Sequence, residues 1–376
     1  MEGLSAKEVA DRLGVETATV YAYVSRGALE RLPGTEGRRS RYDPDQVEEL
    51  ARRTRPRSTR RRTGAVDVVI GTTVSEIGDG WVRYRDRDLG ELAATAGFEE
   101  VCGLLWTGEL AAPPPPTATG ADVERAVEAL PAGATIDARL ATAAVVVGCR
   151  TEPTPMELVH ALVTALSPIG DDPGPAATVA ERLWPRVSPL PANAARVRAL
   201  EVALVLLAEH ELATSTLAVR VAASTGAAPA SCVLAGLGAV AGPLHGKAAI
   251  AVHRQLLEGA EPTERGPLQG FGHSVHRSGD PRYAPLLAVA TGIAAPRVRQ
   301  QTAQVGRRTR TDPPPNVDAA LGALAFAAEM EVGVTEAVFS IARTAGWLAH
   351  AHEEADEPPL RFRGRTRYRG PRAEPA

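Results

Sequence analysis

The sequence predicts an all-α body preceded by a small helix-turn-helix unit, and three observations carry that expectation. Ala- and Leu-rich stretches with apolar residues at 3.6-residue spacing dominate the later chain, Leu200 to Leu212 among them. β-branched alternation is scarce and aromatic residues make up only 4% of the chain. The first sixty residues carry their own helix signals, separated from the rest by the basic run RRTRPRSTRRR at residues 52–62. Pro-rich passages at 113–116 and 313–315 break the helical pattern, and no internal repeat is visible.

At 376 residues the chain has room for two or three domains and a large buried core. No apolar run reaches the roughly 18 residues of a membrane span, and no charged n-region followed by an apolar h-region opens the chain. The expectation is therefore a cytoplasmic protein with no membrane partner. Cys102, Cys149 and Cys232 lie widely apart among Val, Leu and Ala, a pattern of core thiols rather than of a disulfide framework or a metal site. Residues 1–62 hold 14 Lys and Arg against 10 Asp and Glu, so a basic head precedes an acidic body, because the whole chain is at −3. Only Lys7 and Lys247 are lysines, and this Arg bias weakens the meaning of any one arginine.

In the head, Ser5 and Glu8 have the spacing of a capping box, and Val9, Ala10 and Leu13 fall on one helical face. Gly14 ends that helix, and a second follows with Val20, Tyr21 and Val24. Residues 33–42 have the turn chemistry of a short hairpin, after which Asp43 and Pro44 read as an N-cap and first helical residue. The string LSAKEVADRLGVETATVYAYVSRGAL followed by GRRSRYDPDQVEEL resembles the winged helix-turn-helix domains of MerR-like and excisionase-like proteins. That resemblance implies that Thr17, Thr19, Tyr21 and Tyr23 lie on or near a helix reading the major groove of double-stranded DNA. It puts Arg38, Arg39 and Arg41 of the wing on phosphates. A degenerate head used for packing or oligomerisation remains the alternative. The basic run is either a further phosphate-binding segment or a solvated tether.

Chemistry concentrates in three segments of the body: GPLHGK around His245, GFGHSVHRSGDPRY around His273, and PNVD ending at Asp318. Imidazoles and a carboxylate among helix-breaking residues are what proton transfer at a carbon acid needs, and Arg277 and Arg282 suit an anionic substrate. These segments, with the Tyr84-Arg85 pair and Phe98-Glu99-Glu100 after a turn at Gly78-Asp79-Gly80, resemble the citrate synthase family.

The resemblance implies a citrate synthase fold, a large helical domain plus a small mobile helical domain at about 215–325, behind a small winged helix-turn-helix domain. The expected boundaries are 1–53, a basic linker at 54–64, and 65–376. It also implies the roles. Asp318 is the base, His245 stabilises the enol of acetyl-CoA, and His273 activates the oxaloacetate ketone. His210, Arg282 and Arg343 hold the dianion, with Arg363 arriving from the other subunit of a homodimer. Arg277 and Lys247 are candidates for coenzyme A, with Arg307, Arg308 and Arg310 as further positive charge nearby. No metal and no tightly held cofactor is expected. His160, His253, His276, His350 and His352 are left as structural.

Three departures stand out: Lys247 replaces a second glycine, the segment 281–316 is short, and Gly364 replaces a proline, leaving Arg361, Arg363 and Arg365 as choices. Two alternatives therefore stay open. One is 2-methylcitrate synthesis from propionyl-CoA, since one methylene discriminates by only about 1–3 kcal/mol. The other is a DNA-binding regulator whose body senses a metabolite without turning it over.

Overall fold

A computed structural model describes the chain except residues 1–2, 14–16, 26–28, 33–39, 45, 48–67, 117–119, 175, 243–244, 246, 260–269, 306–312 and 365–376. It divides into two compact units, Met1–Ile70 and Gly71–Ala376. The described residues are overwhelmingly helical, with two small sheets, as the sequence predicts.

The head unit contains β1 (Leu4–Ser5), α1 (Ala6–Leu13), α2 (Thr17–Ser25) and β2 (Arg41–Tyr42), with β1 and β2 antiparallel. The capping box forms: Glu8 accepts from the Ser5 amide at 2.7 Å, and Ser5 Oγ accepts from the Glu8 amide at 3.3 Å. Val9, Ala10, Val20, Leu29, Tyr42 and Val47 make a miniature core. An Arg31–Tyr42 bridge closes the base of the expected hairpin, whose tip lies outside the described residues. Val47 donates to the Asp43 carbonyl, so a helical turn starts at Pro44 as expected.

The body opens with an antiparallel sheet of β3 (Ser75–Gly78), β4 (Trp81–Tyr84) and β5 (Arg87–Asp88). The apolar run after Val66 reads as the start of a strand, yet the strand begins only at Ser75 and Val69 is 92% exposed. β-branched residues make a strand only where a partner edge exists. Helices follow: α3 (Leu89–Thr95), α4 (Phe98–Thr107), α5 (Ala121–Glu128), α6 (Ile136–Gly148), α7 (Pro155–Thr164), α8 (Val179–Val187) and α9 (Ala194–Leu207). Then come α10 (Thr214–Ala223), α11 (Pro229–Val240), α12 (Ala248–Glu258), α13 (Tyr283–Ile293), α14 (Pro296–Gln304), α15 (Val317–Ala327) and α16 (Thr335–Ala355).

α16 is buried nearly all round, polar side chains such as Glu336, Arg343, His350 and Glu354 included, and packs against α9, α10 and α11 as the spine of the body. Its crossing with the end of α9 is close: the Gly346 amide donates to the Ala208 carbonyl at 3.1 Å, and a Cβ there would meet the Glu209 carboxylate at 2.1 Å. The helical spacing read through Leu212 stops at Leu207, so Glu209 and His210 leave the helix, and Glu211 takes φ +48°. Tyr84 causes part of this break, because its buried hydroxyl accepts the Glu209 amide at 3.0 Å and thereby satisfies a group the helix would otherwise hold. Cys102 and Cys232 are buried as expected. Cys149 is exposed, because it caps α6 where the helix runs out past Gly148. Among the described residues no helix is long and apolar enough to cross a membrane.

Candidate active site

His273 and Asp318 come from two chain segments stitched together. Phe271 and Pro315 form an isolated antiparallel bridge, the Gly272 amide donates to Pro314 at 2.8 Å, and the Asn316 amide donates to Gly270 at 2.9 Å. Gly270 and Gly272 have φ of +78° and +74°, and a Cβ on Gly270 would meet Val252 at 2.8 Å, so both the turn and the close approach require glycine. Asn316 caps α15 by accepting from the Asp318 amide at 3.0 Å. Asp318 is thus carried on the first turn of a helix. Burial pushes its carboxyl above the usual range, reinforced by Asp280 and opposed by Arg282 and Arg343.

The loop from His273 to Arg282 supplies most of the remaining groups. His273 Nδ1 accepts the amides of Val275 at 3.1 Å and His276 at 3.2 Å, so the proton of the neutral ring sits on Nε2. Burial, with Arg282, holds this imidazole at about 4 and therefore neutral near pH 7. Arg282 is itself buried and locked bidentately on Asp280, at 2.9 and 2.8 Å, while Asp280 also accepts the Val317 amide at the start of α15.

His210 enters from the loop after α9, with ring centroids 4.9 Å from His273 and 5.3 Å from His276. Burial, then Arg282 and Arg343, push it well below its ordinary value. Arg343 of α16 donates through Nε to the Leu207 carbonyl at 2.8 Å and lies 4.7 Å over the Phe339 ring. His245 meets the same Phe339 edge-on at 5.9 Å, and its Nε2 is 3.1 Å from Ser215 Oγ on the first turn of α10. Burial and Arg343 lower its pKa. His210, His245, His273, Arg282, Arg343 and Asp318 therefore occupy one electrostatic neighbourhood in which every imidazole is favoured as the neutral form.

Lys247 reaches Glu336 on α16 at 3.9 Å, a carboxyl that burial and Asp137 raise to about 7. Arg277 and Arg363 are exposed, while Arg361 is held within the chain by Glu354 at 2.6 Å. In the head, Thr17 and Tyr21 are exposed and Thr19 half-buried on α2, and Arg41 donates to the Gly3 carbonyl at 3.1 Å and sits 3.7 Å from Glu8. Arg38, Arg39, Arg307, Arg308, Arg310, Arg365 and the linker 54–64 fall outside the described residues. A small cavity between Gly120, Arg150, His160 and Arg182 contains none of the expected site residues.

Three participants were not singled out from sequence: Ser215, Asn316 and above all His276. His276, read as structural, is buried and stacked on His273 with centroids 4.8 Å apart. Its place three residues after His273 in GFGHSVH was the available signal. The other histidines outside the motifs lie elsewhere: His160 meets Arg182 at 2.6 Å, His253 is buried, His350 bonds Glu209 at 3.0 Å, and His352 is exposed.

Fold and site together define a helical protein with neutral imidazoles, a half-buried carboxyl of raised pKa and guanidinium groups converging on one place. The chain belongs to the citrate synthase family: the family described as "Citrate synthase, C-terminal domain" matches residues 64–364, and a helix-turn-helix domain matches residues 4–55. Citrate synthase of Saccharolobus solfataricus is 32% identical over 197 residues, 46% of this chain and 52% of that protein. Citrate synthase 2 of Bacillus subtilis is 33% identical over 192 residues, again 46% of this chain and 51% of that protein. The chain thus spans about half the length of the curated relatives it matches.

Among solved structures, the ternary complex of carboxymethyl coenzyme A and oxaloacetate with citrate synthase from Thermoplasma acidophilum superposes with a TM-score of 0.64. It is 24% identical, covering 82% of this chain and 96% of that one. Citrate synthase from Pyrobaculum aerophilum gives 0.63 at 23% identity, covering 82% and 92%. At these identities the likeness is one of fold.

Proposed function

We propose that the chain condenses an acyl-CoA thioester, acetyl-CoA first, with oxaloacetate and hydrolyses the product thioester to give citrate and free coenzyme A. The observation that carries this reading is Asp318. It is a half-buried carboxyl whose pKa is raised by desolvation, on a helix start stitched to the His273 loop and under the influence of Arg282 and Arg343. Such a carboxylate is a stronger base than an exposed one and sits where an anion would be held.

In this reading Asp318 takes a proton from the thioester methyl. His245 donates to the carbonyl oxygen as it becomes an enol, a role that takes the tautomer with its proton on Nδ1, in which Nε2, 3.1 Å from Ser215 Oγ, accepts from that hydroxyl. The nucleophilic carbon then attacks the oxaloacetate ketone, whose oxygen takes a hydrogen bond from His273 Nε2–H. His210, Arg282 and Arg343 face the two carboxylates. Water finally cleaves the thioester. Each acid or base supplies on the order of 10²–10⁴ in rate, and positioning supplies the rest. The scheme needs no metal and no resident cofactor, so dialysis against EDTA should leave it intact. Arg363, exposed while Arg361 is tied to Glu354, is the candidate to complete a second subunit's site, which makes the working form a homodimer.

Thiol release from purified protein with oxaloacetate and either acetyl-CoA or propionyl-CoA tests the reading and ranks the thioesters. Oxaloacetate binding without release from either would replace it by the second reading, a DNA-binding regulator that senses metabolites. That second reading is favoured by the helix-turn-helix match at residues 4–55. A gel shift on double-stranded DNA across a salt series addresses the head, since phosphate contacts weaken steeply with salt.

A further inference from the structure

The pocket holds one imidazole more than the proposed reaction uses. His276 Nδ1 lies 2.9 Å from the Gly78 carbonyl, which can only accept, so Nδ1 carries the proton of the neutral ring. Its Nε2 is then an acceptor, and the 3.1 Å contact with His210 Nε2 must be donated by His210. The His210 proton is therefore committed to His276 and not free for a carboxylate. Around His276 stand His273, Asp280 and Arg282 from its own loop, Asp79 from the β3–β4 turn, and His210 from the loop after α9. Arg282 is neutralised by Asp280, and Arg343 feels both Glu209 and Asp318. A dianion entering here brings two negative charges into a buried space with little cationic surplus.

The same three imidazoles place ligand atoms within 4.8 Å of one another, a spacing open to a metal ion. His273 argues against it: its Nδ1 is occupied by two amides, so its Nε2 keeps a proton and faces the pocket as a donor.

We propose that the His210–His276 pair takes up one proton when a dianionic 2-oxo acid binds, and that His276 is the positioning residue that makes affinity rise as pH falls. With both rings donating, His210 is released toward the substrate while His276 still holds Gly78. The proposal rests on the oxaloacetate reading given above. Buried, neutral imidazoles supply the capacity: burial depresses both, and an adjacent dianion raises them.

Calorimetric titration of the full chain with oxaloacetate at pH 7.5, in phosphate, HEPES and Tris, measures the protons exchanged. Wild type should take up close to one per site, with affinity falling by up to about tenfold per pH unit above neutrality. His276→Gln, which keeps a donor for Gly78 and an acceptor for His210, should take up close to none. It should also flatten the pH profile of KM for oxaloacetate without altering KM for the thioester. Binding without uptake in wild type overturns this inference alone, and uptake preserved in His276→Gln overturns it by assigning the proton elsewhere. No oxaloacetate binding in wild type overturns the substrate class and this inference together. The wild-type buffer series stands whether or not the variant folds.

Discussion

Asn316 donates through Nδ2 to the Gly272 carbonyl at 2.8 Å while its Oδ1 accepts the Asp318 amide at 3.0 Å. One amide side chain thus ties the backbone beside His273 to the helix start that carries Asp318. Asn316→Ala removes the cap and the tie together, costing about 1–2 kcal/mol of stability by loss of the cap. It should also lower kcat by tenfold or more, because misplacing the base by about 1 Å is enough for that. Thermal unfolding and thiol-release kinetics on the same preparation separate the two effects, and a variant with unchanged kcat would disconnect Asn316 from the chemistry.

Asp318 carries a pH signature. Its folded pKa is raised by burial, so the base is lost at a higher pH than an exposed aspartate would be, and kcat should fall on the acid side through that raised value. For stability the sign is opposite to that of a paired carboxylate: the group favours folding below its unfolded pKa and opposes it as pH rises through the folded one. Asp318→Asn should therefore lower turnover by on the order of 10²–10⁴, yet melt no lower than wild type at pH 7.5. A lower melting temperature would contradict the burial cost assigned to this carboxylate.

Gly346 is a packing requirement. An alanine gains helix propensity, but its Cβ would lie 2.6 Å from the Ala208 carbonyl and 2.1 Å from the Glu209 carboxylate. Overpacking of this kind costs about 1–3 kcal/mol, and displacement of Glu209 disturbs His210 beside it. Gly346→Ala should lower the urea midpoint and raise KM for oxaloacetate; stabilisation instead would show that the α9–α16 crossing relaxes freely.

Glu353 sits in a buried charge network with Arg220, which also bonds Glu354 at 2.8 Å and His350 at 3.0 Å. Burial opposes its charge, but the Thr73 amide, the Thr72 and Thr73 hydroxyls and Arg220 outweigh it, holding the carboxyl at about 2. Its contribution is present above the unfolded value of 4.5 and lost as pH falls through about 2. Glu353→Gln should flatten the stability profile across that window. Acid titration of unfolding free energy for both proteins checks it, and parallel curves would exclude Glu353 as a source of acid sensitivity.

Much of this was legible in the chain. Helical periodicity and helix-breaking residues around His245, His273 and Asp318 identified the body, and the Ser5–Glu8 spacing identified the head. What escaped was relational. His276 reads as an incidental histidine because its partners, Gly78 and His210, are 198 and 66 positions away. Lys247 reads as a coenzyme A candidate because Glu336, which it reaches at 3.9 Å, is not adjacent to it in sequence.

The amino-acid order alone determined the helical class, the segmental organisation and the supply of imidazole, carboxylate and guanidinium groups, since these follow from local spacing and residue type. Which imidazole nitrogen carries a proton, which carboxyl is driven up and which arginine is already spent were decided only by the tertiary structure. Hydrogen bonding and desolvation act over a few ångströms between groups brought together from opposite ends of the chain.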